Sequence, residues 1–347
     1  MKKVGILTFN DAINYGALFQ MYALYVTLFN ENFEVQIINY EDNVINNRYR
    51  LFLKRKSIKS NIKELLFMPS RILEQNSFSS FKKKMNFSRR VNNDTIKELE
   101  FDAVIAGSDQ IWNLTLTNNN YTYFLDWFQG DKYSYAASFG INQFDWQFES
   151  AISHLIDYKA ISVRENNALS FLQRHSIDAI QNIDPIFLLD SKYWRDIAIR
   201  PNECNDYILI YTIGYSNEII DFARELAEKN NLRVLLLSDD ILYKRGIKII
   251  RGSSPEKWLG YFYYARYIIT NSFHGTAFSI AFNKEFYCDN VKTTLKDTNT
   301  RIESLLQVMG IGNRNINNGR IDDIDWSEVN MAIKRERERS FHYLSKI

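Results

Sequence analysis

Short apolar runs alternate with stretches of helical periodicity from the first residues onward. Lys3-Val4-Gly5-Ile6-Leu7-Thr8-Phe9 is brief, apolar and bounded by polar residues, the pattern of a buried strand. After the loop Asn10 to Gly16, the residues Leu18, Met21, Tyr22, Tyr25, Leu28 and Phe29 recur at helical spacing. Phe33 to Tyr40 reads as a second strand. Strand, helix, strand over so short a stretch is a βαβ unit, which predicts a parallel sheet covered by helices. The alternation pauses from Arg48 to Arg90, a segment rich in Lys and Arg and interrupted by Pro69. It resumes with strands expected at Phe101–Gly107, Tyr133–Phe139 and Ala160–Val163, and Ile183-Asp184-Pro185 closes this half.

The polar stretch Arg195 to Asp206, with Pro201, predicts a domain boundary. Beyond it, strands are expected at Asp206–Ile213, Arg233–Leu237, Ile247–Ile250, Tyr267–Thr270 and Phe286–Cys288. Helices are expected at Glu218–Asn230, at Pro255–Tyr264 and from Ala277 onward. The expected organisation is α/β: two doubly wound, Rossmann-like domains facing a cleft. Residues 1–195 form the first, with a basic helical insert over about 44–95. Residues 196–347 form the second, ending in a charged helical tail from Asp322 that reads as a solvated face, or as a segment packing back across the domains.

Composition narrows the functional classes. The chain is 46% hydrophobic, which is ordinary for a globular protein, and 15% aromatic, which suits either well-filled cores or sugar-facing clefts. A formal net charge of +2 gives no overall field for a polyanion, and nucleic acid is not an expected partner. Cys204 and Cys288 match no metal-ligand spacing, and neither HExxH nor CxxC occurs, so no metal or cofactor is expected. No apolar run approaches bilayer length and the amino terminus does not read as a signal peptide, so the expected location is the cytoplasm. Lys54-Arg55-Lys56 and Lys82-Lys83-Lys84 read either as solvated faces or as a docking surface for the inner face of a membrane or a pyrophosphate-linked lipid.

Chemistry-bearing residues concentrate where expected strands end. His274 follows a short apolar strand and sits in Asn271-Ser272-Phe273-His274-Gly275-Thr276, where the chain turns into a helix. A helix start at the carboxyl edge of a sheet presents unpaired N–H groups to an anion; Ser272 and Thr276 add hydroxyls, and Gly275 permits close approach. Read from the residues alone, it is equally consistent that Ser272 only caps the helix and His274 satisfies a loop carbonyl. Arg164, directly after Ala160–Val163, can grip a carboxylate or phosphate, or pair with Glu165. Ser108, Asp109 and Gln110, with Trp112, offer either polar and stacking contacts to a sugar or a helix cap with a core indole. Asn14, Tyr15 and Gly16 occupy the matching position after the first strand and form no dinucleotide fingerprint.

Taken in order, these loops resemble the polysaccharide pyruvyl transferase family. Asn14-Tyr15-Gly16-Ala17, the run Phe101 to Asn113, Tyr135 to Gly140, Ser162-Val163-Arg164-Glu165, Asp184-Pro185, Ser272 to Ser279 and Thr300-Arg301-Ile302 carry the resemblance. It implies a fold similar to the glycosyltransferase B architecture. It further implies phosphoenolpyruvate as donor, a saccharide diol as acceptor (free or lipid-pyrophosphate-linked), and a pyruvyl ketal on a surface polysaccharide as product. By the same resemblance His274 and Arg164 would be catalytic, and Arg164, Ser272, Gly275 and Thr276 would bind the donor. Asn14, Tyr15, Gly16, Ser108, Asp109, Gln110 and Trp112 fall on the acceptor or cleft side. A nucleotide-sugar glycosyltransferase and a non-catalytic saccharide-binding assembly protein are the alternative readings.

Overall fold

The computed structural model describes residues 1–48, 58–203, 206–214, 216–238, 244–289, 300–317 and 321–347, with side chains of the helix Ile58–Lys82 described from Glu64. Cys204 and the run Lys54-Arg55-Lys56 lie outside the described residues.

Two parallel sheets organise the chain. The first contains β1 (Lys3–Leu7), β2 (Glu34–Ile37), β3 (Ala103–Asp109), β4 (Asp131–Ala137), β5 (Tyr158–Ala160), β6 (Ser162–Val163) and β7 (Ile180–Gln181). Its order is β2-β1-β3-β4-β6-β7, with β5 also beside β4. The second contains β8 (Tyr207–Tyr211), β9 (Arg233–Leu237), β10 (Ile247–Ile250), β11 (Tyr267–Thr270) and β12 (Glu285–Cys288), in the order β10-β9-β8-β11-β12. Every residue of β3 is buried, because helices cover both faces of a parallel sheet and leave no side for polar alternation. Strand order reverses between β1 and β3 in one sheet and between β8 and β11 in the other. At these switch points the following loops part and leave a crevice at the carboxyl ends.

Aromatic side chains join the halves. The helix Tyr15–Asn30, capped by the Asn14 side chain on Ala17 N, buries residues 15–24 on all sides because both halves pack against it. Tyr15 stacks on Trp258 with ring centroids 5.3 Å apart, and Phe19 contacts Trp194, Trp258 and Phe278 at 5.3–5.6 Å. Val4 and Ile105 of the first sheet and Leu209 and Leu235 of the second therefore share one continuous core.

Three details differ from the sequence reading. The helix Ile58–Lys82 continues through Pro69, held by buried Phe67, Phe78 and Phe81 and by an Arg71–Glu64 ion pair. The C-terminal helix Trp326–Leu344, grouped by sequence with the second half, is not a solvated face but packs back across the domains onto the first half: Tyr343 Oη donates to Ser134 O at 2.7 Å and Arg337 donates to Phe187 O at 2.6 Å. The basic run at 82–84 is partly spent within the fold, with Lys82 3.7 Å from Asp11 and Lys84 3.0 Å from Glu256. Among the described residues no helix is long and apolar enough to cross a membrane.

Candidate active site

Both switch points open into one pocket of about 110 Å³. The loops after β1 and β3 supply Asn14, Asp109 and Gln110; those after β8 and β11 supply Tyr211, Ser272, Phe273 and His274; Arg301 closes it. Asn271 ties the last two loops together, its Oδ1 accepting from Ile213 N at 2.7 Å and its Nδ2 donating to Ile213 O at 3.1 Å.

The His274 helix runs from Phe273 to Ala281, four residues earlier than its apolar periodicity predicts, because Ser272 caps it by accepting from Gly275 N. Ser272 N donates to Thr270 Oγ1, which leaves the first-turn N–H groups of Phe273 and His274 without intrahelical acceptors. The start of the Tyr15 helix faces the same place. A Cβ added to Gly16 would meet His274 Nδ1 at 2.0 Å, so the missing side chain at 16 is what admits the imidazole. Two positive helix ends thus flank one histidine.

On its other edge the imidazole meets a carboxylate. His274 Nε2 lies 3.4 Å from Asp184 Oδ2, at the long end of hydrogen-bonding reach. The same oxygen accepts from Arg164 Nη1 at 2.7 Å, and Oδ1 accepts from Ile186 N at 3.1 Å. Burial alone would raise the Asp184 carboxyl. Hydrogen bonding to His274, the charges of His274 and Arg164, and the Ile186 N–H outweigh it and bring the group down to about 2. Asp184 is therefore a fixed anion under the imidazole. A depressed carboxyl stabilises the fold fully above its unfolded value near 3.8 and loses that contribution as pH falls through about 2. We expect Asp184→Asn to lower stability at neutral pH by about 3 kcal/mol, since buried Arg164 loses its nearest counter-ion and keeps only the more distant Asp109. The deficit against wild type should shrink below pH 4, as urea titrations across pH would show.

Arg164 and Arg301 hold the two sides of Phe273, with guanidinium carbons 4.2 and 5.8 Å from its ring centre. The Arg164 side chain is 2% exposed and pairs with Asp184 and, at 3.7 Å, with Asp109, while its Nε and Nη2 are buried without a hydrogen-bond partner. Arg301, unlike Arg164, lines the pocket. Its Nε is likewise buried with no hydrogen-bond partner, and burial followed by repulsion from Arg164 brings the guanidinium down to about 10 despite Glu165, Asp109 and Asp184. A cation in that condition gains from any anion placed in the pocket. Glu165 Oε1 accepts from Ser138 Oγ, Phe139 N and Gly140 N, while its Oε2 is buried without a hydrogen-bond partner. The strand ends are conformationally tense: Asp109 has φ +77° and Ala136 φ +45°, each costing about 1–3 kcal/mol, as active-site loops often carry.

The structure gathers Asn14, Gly16, Asp109, Gln110, Ser272 and His274 around the pocket and turns other expected residues away from it. Trp112 does not offer its face to a sugar: it is wholly buried, stacked on Phe124, with Nε1 donating to Tyr123 O at 3.1 Å. Ser108 Oγ donates to Ala136 O, and Thr276 Oγ1 donates to Ser272 O within its own helical turn, so both hydroxyls are spent on backbone. Gly275 is required by packing, since a Cβ there would meet Thr270 Oγ1 at 2.3 Å. Tyr15 Oη bridges the halves by donating to Ser253 O at 2.7 Å. Asp184 and Arg301 were not singled out for chemistry from sequence. Asp184 had only its place before Pro185 as a signal, and Arg301 is a single cation at the start of an ordinary helix.

Two parallel α/β domains with a shared pocket at both switch points define the glycosyltransferase B architecture. Solved structures of that architecture align over the length of the chain. UDP-GlcNAc 2-epimerase from Neisseria meningitidis, bound to UDP-GlcNAc, covers all of both chains at 12% identity with a TM-score of 0.51. S. aureus MnaA in complex with UDP covers 99% of this chain and 90% of its own at 14% identity with a TM-score of 0.50. At such identities the likeness concerns the fold alone. No curated protein matches the chain in sequence. Residues 14–288 match the family model described as polysaccharide pyruvyl transferase, and the chain belongs to that family. The matched span runs from the cap of the Tyr15 helix to the last strand and includes His274, Asp184 and Arg164.

Proposed function

We propose that the protein moves the pyruvyl group of phosphoenolpyruvate onto two hydroxyls of a saccharide in a surface polysaccharide or its precursor, forming a ketal and releasing phosphate. One observation carries this reading beyond the family: an imidazole backed by a fixed carboxylate stands between two helix starts and beside a guanidinium lacking a partner at Nε. A small, multiply charged anion is the ligand such a pocket favours.

In this mechanism Arg301 and the free N–H groups of Phe273 and His274 receive the donor's carboxylate and phosphate. Arg164, expected from sequence to grip the donor, serves as a positioning residue that holds Asp184 in place. Asp184 orients the imidazole, and His274 gives a proton to the oxygen joining the donor to phosphate. The methylene carbon gains a proton and its neighbour C2 becomes electrophilic. Two sugar hydroxyls add to C2 in turn while the bond from C2 to the phosphate oxygen breaks. Of the two hydroxyl protons lost, one is balanced by the new methyl group and the other returns to His274, replacing the proton that left with phosphate. The fixed dipoles need no reorganisation as charge shifts, which is electrostatic preorganisation.

Phosphate release from phosphoenolpyruvate in the presence of a saccharide panel tests the reaction. Phosphoenolpyruvate at about a hundred times its Kd should stabilise the protein by about 2.7 kcal/mol, a shift of a few degrees in Tm. A comparable shift by nucleotide sugars, with none from phosphoenolpyruvate, would overturn the proposal in favour of glycosyl transfer.

A further inference from the structure

A second concavity lies on the first half alone, built by the loops around residues 40–44, 92–96 and 117–127, with a volume of about 670 Å³. Its lining differs sharply from that of the reactive pocket. It holds six asparagines, four carboxylates (Glu41, Asp42, Asp94 and Asp126), and no Lys or Arg. Tyr121 and Trp127 add aromatic surface, and the Trp127 Nε1 is buried without a hydrogen-bond partner.

The floor is already rigid. Asn120 Nδ2 donates to Tyr40 Oη at 2.8 Å and to Asp42 Oδ2 at 3.0 Å, while Asn93 Oδ1 accepts from Tyr40 Oη and from Thr122 Oγ1. These bonds tie the three loops together, and the more exposed Asn43, Asn118 and Asp94 stand above them. Amide and carboxylate groups fixed beside aromatic faces match a ligand with many hydroxyls on a C–H framework. Glu41 is paired with Arg90 and Asp126 with His154, so Asp42 and Asp94 are the carboxylates that disfavour an anionic ligand.

The groove also borders the reactive pocket. Asn43, Val44 and Thr117 line the groove, while Ile45, Arg48 and Leu116 line the pocket. The wall between them is therefore the helix Asn43–Arg48 and the turn Leu114–Thr117, joined by Arg48 Nη2 donating to Leu116 O at 2.9 Å. A helix of 6 residues is about 9 Å long. Asp42 on the groove floor caps this helix through Val44 N and Ile45 N at 2.8 and 3.1 Å.

We infer that this groove is an extended subsite that holds a neutral oligosaccharide segment of the acceptor, so that the sugar to be modified crosses the Asn43 helix into the His274 pocket. The inference rests on the proposed transfer reaction for its acceptor, but its binding test does not. The full-length protein is applied to an array of neutral and uronate-containing oligosaccharides of matched length. Neutral chains should be retained at least tenfold better than uronate-containing ones. Asn43→Trp, which fills the groove from an exposed position, and Asp94→Lys should each lose at least tenfold of that binding while keeping the wild-type Tm and the wild-type response to phosphoenolpyruvate. The groove assignment is overturned if the wild type binds no oligosaccharide, if uronate-containing chains bind equally well, or if both variants bind as wild type. Neutral-glycan binding lost in those variants, with no response of any form to phosphoenolpyruvate, supports the groove and overturns the donor reading alone.

Discussion

Gly16→Ala should abolish turnover almost as completely as His274→Ala, although residue 16 carries no functional group. The added methyl carbon would stand 2.0 Å from His274 Nδ1, far inside contact distance, and the ring has no slack to absorb it. Asp184 blocks one edge and Phe273 packs against the ring with centroids 5.1 Å apart. The imidazole must rotate away from the pocket, and the geometry that delivers its proton goes with it. Loss of a positioned general acid costs about 10²–10⁴ in rate. Both variants should fall in that range in kcat with little change in donor KM, measured as phosphate release under saturating donor. If Gly16→Ala keeps kcat within threefold of wild type, the imidazole is not held where the mechanism needs it.

Arg301→Gln should act on the other parameter. Removing a charged donor to a buried anion costs about 3 kcal/mol, or roughly a hundredfold. The loss should fall mainly on the KM for phosphoenolpyruvate and on its thermal stabilisation. Arg164→Gln should instead destabilise the fold, because Asp184 would lose the cation 2.7 Å away. It should also lower kcat with little change in donor KM, because Asp184 would no longer be held beside the imidazole. The contrast separates a guanidinium that meets the donor from one that meets only protein. Equal donor KM effects without any stability difference would merge the two roles.

Much of the fold could be read from the chain because parallel strands buried on both faces leave continuous apolar runs. Arg233–Leu237, Ile247–Ile250 and Tyr267–Thr270 emerge with the boundaries read from sequence for that reason. Two-residue β7 gave no run to detect, and the C-terminal helix, readable as packing back across the domains, did not reveal which strand it meets, since Tyr343 reaches Ser134 across 209 positions. The site was legible wherever a strand end met a helix start, as at Asn14 and Ser272. It was not legible where a single charged residue matters through its neighbours. Asp184 and Arg301 acquire meaning only when folding places one beneath an imidazole and leaves the other's Nε unanswered. Trp112 shows the opposite limit: composition cannot tell a sugar platform from a core indole, and burial by Phe124 and Phe139 decides it.

The aromatic weld between the halves sets how such a molecule can breathe. Enzymes built as two lobes commonly swing shut on their substrates about a hinge. Here Tyr15, Phe19, Trp194, Trp258 and Phe278 interlock directly behind the reactive pocket, and separating the lobes would expose all five rings together. Under the proposed reaction, the donor would therefore enter through short-range movement of the loops that rim the crevice. Neither lobe could be excised, or exchanged for that of another protein, without carrying a ragged hydrophobic scar.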